Sequence, residues 1–335
     1  MSFPISPAAI EERVCVVIPM YRVAPYIQQV IGSLPAWVWR IVAVDDASPD
    51  DSAECALAAG DPRLELVRLS ENRGVGGAVL AGMNKAVELG ATVIVKLDGD
   101  GQMPVEYLDS LVRPILQGQA DYVKGNRFYH TGEIGKMPFV RRSGNIALSF
   151  LTKMASGYWN VFDPTNGFLA IDAGVFQRLE QRRIHPRYFF ESSMLNELNL
   201  VRAVVAEVTM PACYAGEISS LSIPRALSEF PGQLLKSFFR RIWLQYFVLD
   251  FSVGSLFIVV GLLSAAFGVI WGAVWWAHSI LTGRVASTGT VMLAVLPFIL
   301  GFQLVLQSIV FDVQNVPRKV ISRLAGQRSA RGGNA

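Results

Sequence analysis

A mostly parallel, Rossmann-like α/β sheet, followed by amphipathic juxtamembrane helices and two C-terminal transmembrane helices, is the fold class this sequence predicts. Three observations carry it. Short apolar runs alternate with helical patterns over roughly the first 125 residues. From about residue 247 the chain becomes almost continuously apolar. Of 335 residues only 17% are charged and 52% are hydrophobic, an excess concentrated in that C-terminal part.

The elements follow in order. Arg13–Pro19 (RVCVVIP) reads as a buried strand and Ala24–Leu34 as a helix with Pro25 in its first turn. Arg40–Asp45 (RIVAVD) is a second strand. Ser48-Pro49-Asp50-Asp51 predicts the next helix start, with Ser48 as N-cap, proline at the first position and acids in the first turn. Leu64–Leu69, Thr92–Leu97 and Ala120–Lys124 are strands three to five, separated by helices over Gly74–Leu89 and Pro104–Gln117. Such β-α alternation argues for a parallel sheet with helices on both faces and a ligand site at the carboxyl ends of the strands. Residues 126–223 are less regular, rich in arginine, aromatic residues and glycine, and read as the acceptor side of that site.

The remaining boundaries come from hydropathy. Residues 1–223 form the soluble domain. Residues 224–247 carry Leu227, Phe230, Leu234, Phe238, Ile242 and Trp243 at helical spacing among basic residues, the pattern of an interfacial segment, with Pro231 splitting it into two helices. Residues 248–277 and 288–311 are the two membrane spans. Phe251–Ala277 holds no charge, and its 27 residues reach about 40 Å as a helix against a hydrocarbon core of about 30 Å. Trp271, Trp275 and Trp276 near its end fit an interfacial belt, and Pro297 and Gly301 are tolerable in the second span. Lys236, Arg240 and Arg241 precede the spans; Arg318, Lys319, Arg323, Arg328 and Arg331 follow in the basic tail, 312–335. With only Arg284 in the connecting loop, both termini are expected on the cytoplasmic face. The net charge of +3 is thus a topology signal and calls for no nucleic acid. Glu11 and Glu12 precede the first strand without a basic-then-apolar start, so no signal peptide is expected. Cys15, Cys55 and Cys213 are odd in number and far apart, which fits neither a disulfide framework nor a zinc site.

The densest chemistry lies in Lys96-Leu97-Asp98-Gly99-Asp100-Gly101-Gln102. An apolar run ends in two aspartates two apart, which an extended segment points the same way. Converging carboxylates repel and raise each other's pKa. A hard divalent cation resolves the conflict, and magnesium completes its shell with substrate phosphates. A polar turn capping the following helix is the alternative. Three other strand ends meet the same edge: Ile18-Pro19-Met20-Tyr21, Val44-Asp45-Asp46-Ala47-Ser48 and Glu71-Asn72-Arg73-Gly74. A nucleotide fits this set, with Tyr21 flanking a base, Asp46 accepting from ribose or base, and Gly74, Gly76 and Gly77 permitting close backbone approach. Each is also ordinary turn chemistry. The glycines are not a dinucleotide fingerprint, because the third glycine of G-x-G-x-x-G would fall at Val79.

Together VVIPMYR (16–22), VDDASPDDS (44–52), NRGVGGA (72–78) and DGDGQ (98–102) resemble the GT-A glycosyltransferases of family 2. KGNRF (124–128), RRSGN (141–145), FDPTNGF (162–168) and the two apolar C-terminal runs resemble its polyprenyl-phosphate branch, the dolichol-phosphate mannosyltransferases and bactoprenol glucosyltransferases. The resemblance spans roughly residues 12–320. It implies a GT-A fold and an inner-membrane enzyme moving a sugar from a nucleotide sugar, UDP-glucose first among UDP- and GDP-sugars, to a polyprenyl phosphate for surface-glycan synthesis. It implies Mg²⁺ or Mn²⁺ at Asp98 and Asp100 with Gln102. It implies nucleotide-sugar contacts at Pro19, Tyr21, Asp46, Asn72, Gly74, Lys96, Asp98 and Gln102. Arg127 approaches the transferring phosphates; Arg127, Arg141, Arg142 and Ser143 hold the lipid phosphate; Asp163 faces the sugar or acceptor, so Asp98, Asp100, Asp163 and Arg127 form the catalytic set. A homo-oligomer, a tetramer among bacterial relatives, is the implied assembly. The sequence departs from the family at Arg22, where asparagine followed by an acid is more usual.

The residue types suit that reaction. A phosphate monoester has a second pKa of about 6 and is already a nucleophilic dianion near neutrality. It needs no general base but must be held beside a second anion, which calls for arginine forks. Attack opposite the leaving group inverts the anomeric centre. Arg141-Arg142 read equally as a solvated juxtamembrane pair, Asp163 as a turn residue and Glu191 as a helix cap or a sugar contact. A processive polysaccharide synthase would want Q-x-x-R-W and more spans, and a non-catalytic membrane scaffold would tolerate a broken aspartate pair.

Overall fold

The computed structural model describes residues 12–127, 139–211 and 223–322. The first five strands and their helices are β1 (Val14–Met20), α1 (Ala24–Ser33), β2 (Arg40–Asp45), α2 (Ser52–Ala58), β3 (Leu64–Arg68), α3 (Gly74–Leu89), β4 (Val93–Lys96), α4 (Leu108–Leu116) and β5 (Tyr122–Asn126). There follow α5 (Phe139–Ser156), β6 (Leu169–Asp172), the single turn α6 (Ala173–Phe176), α7 (Phe190–Leu200), β7 (Val205–Thr209), α8 (Ile223–Trp243), α9 (Val253–Thr282) and α10 (Thr288–Gln314). The seven strands form one sheet in the order β3-β2-β1-β4-β6-β5-β7. The pairs β3-β2, β2-β1, β1-β4 and β5-β7 are parallel; β6 runs antiparallel to both β4 and β5.

Composition explains this order. The central strands VCVVIPM and VIVK are buried along nearly their whole length, as continuous apolar runs in a doubly covered sheet must be. Helix α4 buries Leu108, Leu111, Val112 and Ile115, one face at helical spacing. Helix α3 lies so close to β1 and β2 that a side chain at Gly82 would overlap Val17 and come within 2.8 Å of Val44 Cγ2. Its end is set by Gly90, whose φ of +92° places it in the left-handed region that closes helices.

Three expectations change. The segment read as irregular contributes β6 and β7, too short and interrupted to show a period of two. Ser48 does not cap α2; the helix opens three residues later, after Asp51. Ser48 instead accepts the Arg22 N–H at 2.8 Å, while Asp50 accepts from Ser48, Ser52 and the Ala24 N–H, so this acidic loop clasps the β1–α1 turn. Pro231 does not split the juxtamembrane segment: α8 continues through it as one helix, and Leu244–Leu249 follows as a π-helical stretch. Proline costs a helix one hydrogen bond. Here Phe230 and Leu234, on either side of it, are buried in one cluster with Ala155 and Phe189, so packing spans the break. The other row of α8 apolar residues, Leu235, Phe239 and Trp243, is 58%, 61% and 61% exposed.

The described chain divides into two compact units, Phe239–Val316 and the remainder. In the smaller unit α9 and α10 are long and apolar enough to cross a membrane, and only 22% and 6% of their most apolar windows are buried, unlike core helices of a soluble protein. They pack through small residues: a side-chain carbon at Gly268 would lie 2.6 Å from the Ala294 carbonyl oxygen, and one at Gly301 2.6 Å from that of Gly261. At the hairpin's base Arg241, 1% exposed, is held by Asp312 through two contacts of 2.7 and 3.0 Å, with Gln245 and Tyr246 completing the cluster. One of the flanking cations is therefore neutralised internally.

The chain returns to the α/β unit at Ile321. Asp121, fully buried at the start of β5, accepts the N–H groups of Ile321 at 2.9 Å, Ser322 at 3.1 Å and Val204 at 2.8 Å. Removing a buried acceptor leaves these donors unsatisfied, at about 1–3 kcal/mol each. Asp121→Ala is expected to loosen the segment after α10 and to speed tryptic cleavage at Arg318 and Lys319 at least tenfold relative to other sites, read by mass spectrometry of a limited digest.

Candidate functional site

One cleft of about 800 Å³ lies along the carboxyl ends of the strands, a size suited to a small-molecule substrate. Pro19, Tyr21, Asp46, Asn72, Gly74, Lys96, Asp98, Asp100, Gln102 and Arg127 all line it. Asp163 lies behind this surface, fully buried. The side chains of Arg141, Arg142 and Ser143 lie outside the described residues; their backbone belongs to the first turns of α5.

At the end of β4 the two aspartates sit in a tight turn. Asp100 Oδ1 accepts the Gln102 N–H at 3.0 Å, and Gly101 takes a φ of +74°, so the pair sits in a polar turn while both aspartates line the cleft. Lys96 is 1% exposed and its Nζ stands 2.6 Å from Asp98 Oδ1. Burial alone would lower the Lys96 pKa, but Asp98 and then Glu191 more than offset it and hold the ammonium above its ordinary value. Glu191, in the first turn of α7, is pushed up by burial, against the pull of Lys96 and Lys124. A side-chain carbon at Gly167 would overlap the Lys96 ammonium and lie 3.3 Å from Asp98 Oδ2 and 3.4 Å from Glu191 Oε1, so all three groups meet around this glycine.

This donor set constrains what it could hold. Among the described residues no three or more His, Cys, Asp or Glu side chains gather as a self-sufficient metal site. Two carboxylates and an amide suit a hard cation of the Mg²⁺ or Mn²⁺ type that completes its shell with phosphate oxygens. The residues present therefore fit a cation that shares its coordination with a substrate.

Beyond β5 the site turns basic. The Nε and Nη2 of Arg127 meet Asp163 Oδ2 and Oδ1 at 2.8 and 3.0 Å, a bidentate pair. Asp163 is in turn fixed from behind: Glu207 on β7 accepts the N–H groups of Phe162 at 2.8 Å and Asp163 at 2.9 Å, and the Asn126 amide at 2.9 Å. Burial raises the Glu207 pKa. Lys124, fully buried, donates to the Pro164 carbonyl at 2.8 Å, and burial pushes its pKa down to about 8. Asp163, which the family resemblance implies faces the sugar or acceptor, is paired here with Arg127 and orients its guanidinium.

At the opposite end Asp46 is also committed to the fold. Its carboxylate accepts the Arg73 N–H at 2.7 Å and the Gly74 N–H at 2.9 Å, anchoring the start of α3. Burial raises its pKa despite these bonds. The glycines of α3 do permit close backbone approach, but of the chain itself. A side chain at Gly74 would lie 2.8 Å from the Pro186 carbonyl oxygen and 2.9 Å from Arg187 Cγ; one at Gly76 would overlap the His185 carbonyl. The Gly77 N–H donates to Pro186 O at 3.0 Å. This cradle brings Arg187, Tyr188 and Glu191 to the cleft, together with Thr165, Asn166 and Met210. Sequence reading left Glu191 open and missed Arg187; its only signal was the Pro186-Arg187-Tyr188 run before an apolar helix.

Comparison with known proteins agrees with this architecture. The family model described as Glycosyl transferase family 2 matches residues 15–180. A UDP-N-acetylglucosamine–dolichyl-phosphate N-acetylglucosaminyltransferase of Methanococcus voltae is 27% identical over 60% of this chain and 89% of its own. An undecaprenyl-phosphate mannosyltransferase of Micrococcus luteus is 30% identical over 54% of this chain and 76% of its own. In fold, a Mycobacterium tuberculosis glucosyl-3-phosphoglycerate synthase solved with Mg²⁺ and UDP superposes with a TM-score of 0.51 at 19% identity, covering 70% of this chain and 81% of that one.

The crowding at Gly167 gives a direct check. Gly167→Ala is expected to cost about 1–3 kcal/mol, because the added carbon displaces a buried ammonium. Gly32→Ala in α1, with nothing within 4 Å of the added carbon, is expected to leave stability unchanged or raise it by up to about 1 kcal/mol. Denaturant unfolding of the full chain in detergent measures both.

Proposed function

This chain belongs to glycosyl transferase family 2, and we propose that it transfers a sugar, with inversion, from a nucleotide sugar to a polyprenyl phosphate at the cytoplasmic face of a bacterial inner membrane. The observation that carries the reading is one cleft with two electrostatically distinct ends. Asp98 and Asp100, with Gln102, suit a cation and diphosphate; Arg127, locked by Asp163, suits a second anion. The long apolar helices α9 and α10 say why that anion would be carried by a lipid. The relatives named for dolichyl- and undecaprenyl-phosphate acceptors support the acceptor class, and their differing sugars leave UDP-glucose as the first donor to test, followed by UDP-N-acetylglucosamine and GDP-mannose.

The chain's own residues divide the work. Asp98, Asp100 and Gln102 would hold Mg²⁺ or Mn²⁺, which when bound neutralises charge developing on the departing diphosphate. Lys96 keeps the carboxylate side of the site from building excess negative charge. Arg127, its fork fixed by Asp163, loses little freedom on gripping a phosphate. Arg141, Arg142 and Ser143 on α5 are proposed to complete that grip. The acceptor arrives as a dianion, so no side chain is assigned the role of general base.

Purified full-length protein, given a nucleotide sugar, undecaprenyl phosphate and Mn²⁺ or Mg²⁺, is expected to release nucleoside diphosphate stoichiometrically with a glycosylated lipid phosphate. Release should need both lipid and cation and stop with EDTA. Nucleotide release that does not depend on the lipid phosphate, or a sugar polymer as product, would contradict the reading.

A further inference from the structure

The segment His185–Glu191 runs along one wall of the cleft and is built in more firmly than a loop needs to be. Gly77 donates to the Pro186 carbonyl, the His185 N–H donates to Ser193 Oγ at 2.8 Å, and the Arg187 N–H donates to His185 Nδ1 at 3.2 Å. The Phe190 N–H bonds back to the Arg187 carbonyl at 2.9 Å, which ties Arg187 to the first turn of α7. The stem of Arg187 packs where a side chain at Gly74 would otherwise be. Four residues on, Glu191 meets Lys96 and Asp98 around Gly167.

The two ends of this segment therefore mark an axis. Glu191 stands at the carboxylate pair, where a diphosphate would lie. Arg187 stands at the far end, beside Gly74 and near enough to Asp46 for its charge to act on that carboxylate. Asp46 offers only acceptors there, each oxygen already holding one backbone N–H group, so a donor to a carbonyl-bearing base edge has to come from another side chain. Arg187 is exposed, lines the cleft and carries only donors. Tyr21 and Tyr188, 44% and 48% exposed, line the same cleft and offer ring faces to a planar group.

We propose that Arg187 is the residue that selects the donor's base, its guanidinium donating to a ring carbonyl oxygen of a uracil or guanine. This rests on the nucleotide-sugar reading above and deepens it. A fork of donors pairs with carbonyl-bearing edges and rejects adenine, whose corresponding edge carries an amino group. Losing a hydrogen bond to a charged donor costs about tenfold or more in affinity.

The test measures Mn²⁺-supported binding of UDP, GDP, ADP and inorganic pyrophosphate to the full-length protein by calorimetry. The wild type is expected to bind UDP or GDP at least tenfold tighter than ADP. Arg187→Met, which keeps the stem over Gly74, is expected to bring that ratio within threefold and leave pyrophosphate binding within twofold of wild type. Arg187→Lys, which restores a donor without the fork, is expected to recover part of the ratio. An unchanged base ratio in Arg187→Met overturns the proposal, as does an equal loss for pyrophosphate, which would make Arg187 a diphosphate ligand. A wild type that binds pyrophosphate but no nucleoside diphosphate would instead overturn the nucleotide-sugar reading on which the proposal stands.

Discussion

Lys96 is buried, and its ammonium stands 2.6 Å from Asp98. Asp98, Asp100 and the nearby Glu191 gather negative charge at one end of the cleft. The buried cation offsets part of that charge by pairing with Asp98. The same rule of pairing recurs across the cleft: Arg127 with Asp163, and Lys124 among Glu191, Asp163 and Glu207. Removing one member of such a pair leaves an uncompensated charge in or beside the cleft.

The sheet makes the pairing possible. Because β1, β2, β3 and β4 run parallel, their carboxyl ends deliver Tyr21, Asp46, Asn72 and Asp98 to one edge, while antiparallel β6 lets β5 return with the same polarity and present Arg127. Glycine decides the close fits. Gly167 leaves room for Lys96, and Gly74 and Gly76 admit the backbone of 185–187. The glycines of the NRGVGG run thus act on the protein's own chain, which then forms the wall of the cleft.

Much of this was legible in the sequence. Five strands, the two apolar helices and the aspartate pair could be placed because each follows a local rule: unbroken apolar runs, length against bilayer thickness, and carboxylates just past a strand end, although the pair sits in a turn and not on an extended segment. What escaped reading depends on long-range contacts. Nothing near Asp46 announces that its carboxylate is used by Arg73 and Gly74, nor anything near Asp163 that Arg127, 36 positions away, takes up both its oxygens. Strands β6 and β7 are four and five residues long and lack a period. Pro231 misled because a propensity rule was applied where burial of Phe230 and Leu234 prevails.

The account turns on a cation shared between the two β4 aspartates and a diphosphate, neither partner sufficing alone. Mn²⁺ titration followed by electron paramagnetic resonance, with and without UDP, tests this directly on the wild type and on Asp100→Asn. The account predicts weak Mn²⁺ binding alone, at least tenfold tighter binding with UDP, and loss of that enhancement in Asp100→Asn. Mn²⁺ binding that is equally tight without nucleotide, or that survives Asp100→Asn unchanged, would contradict it.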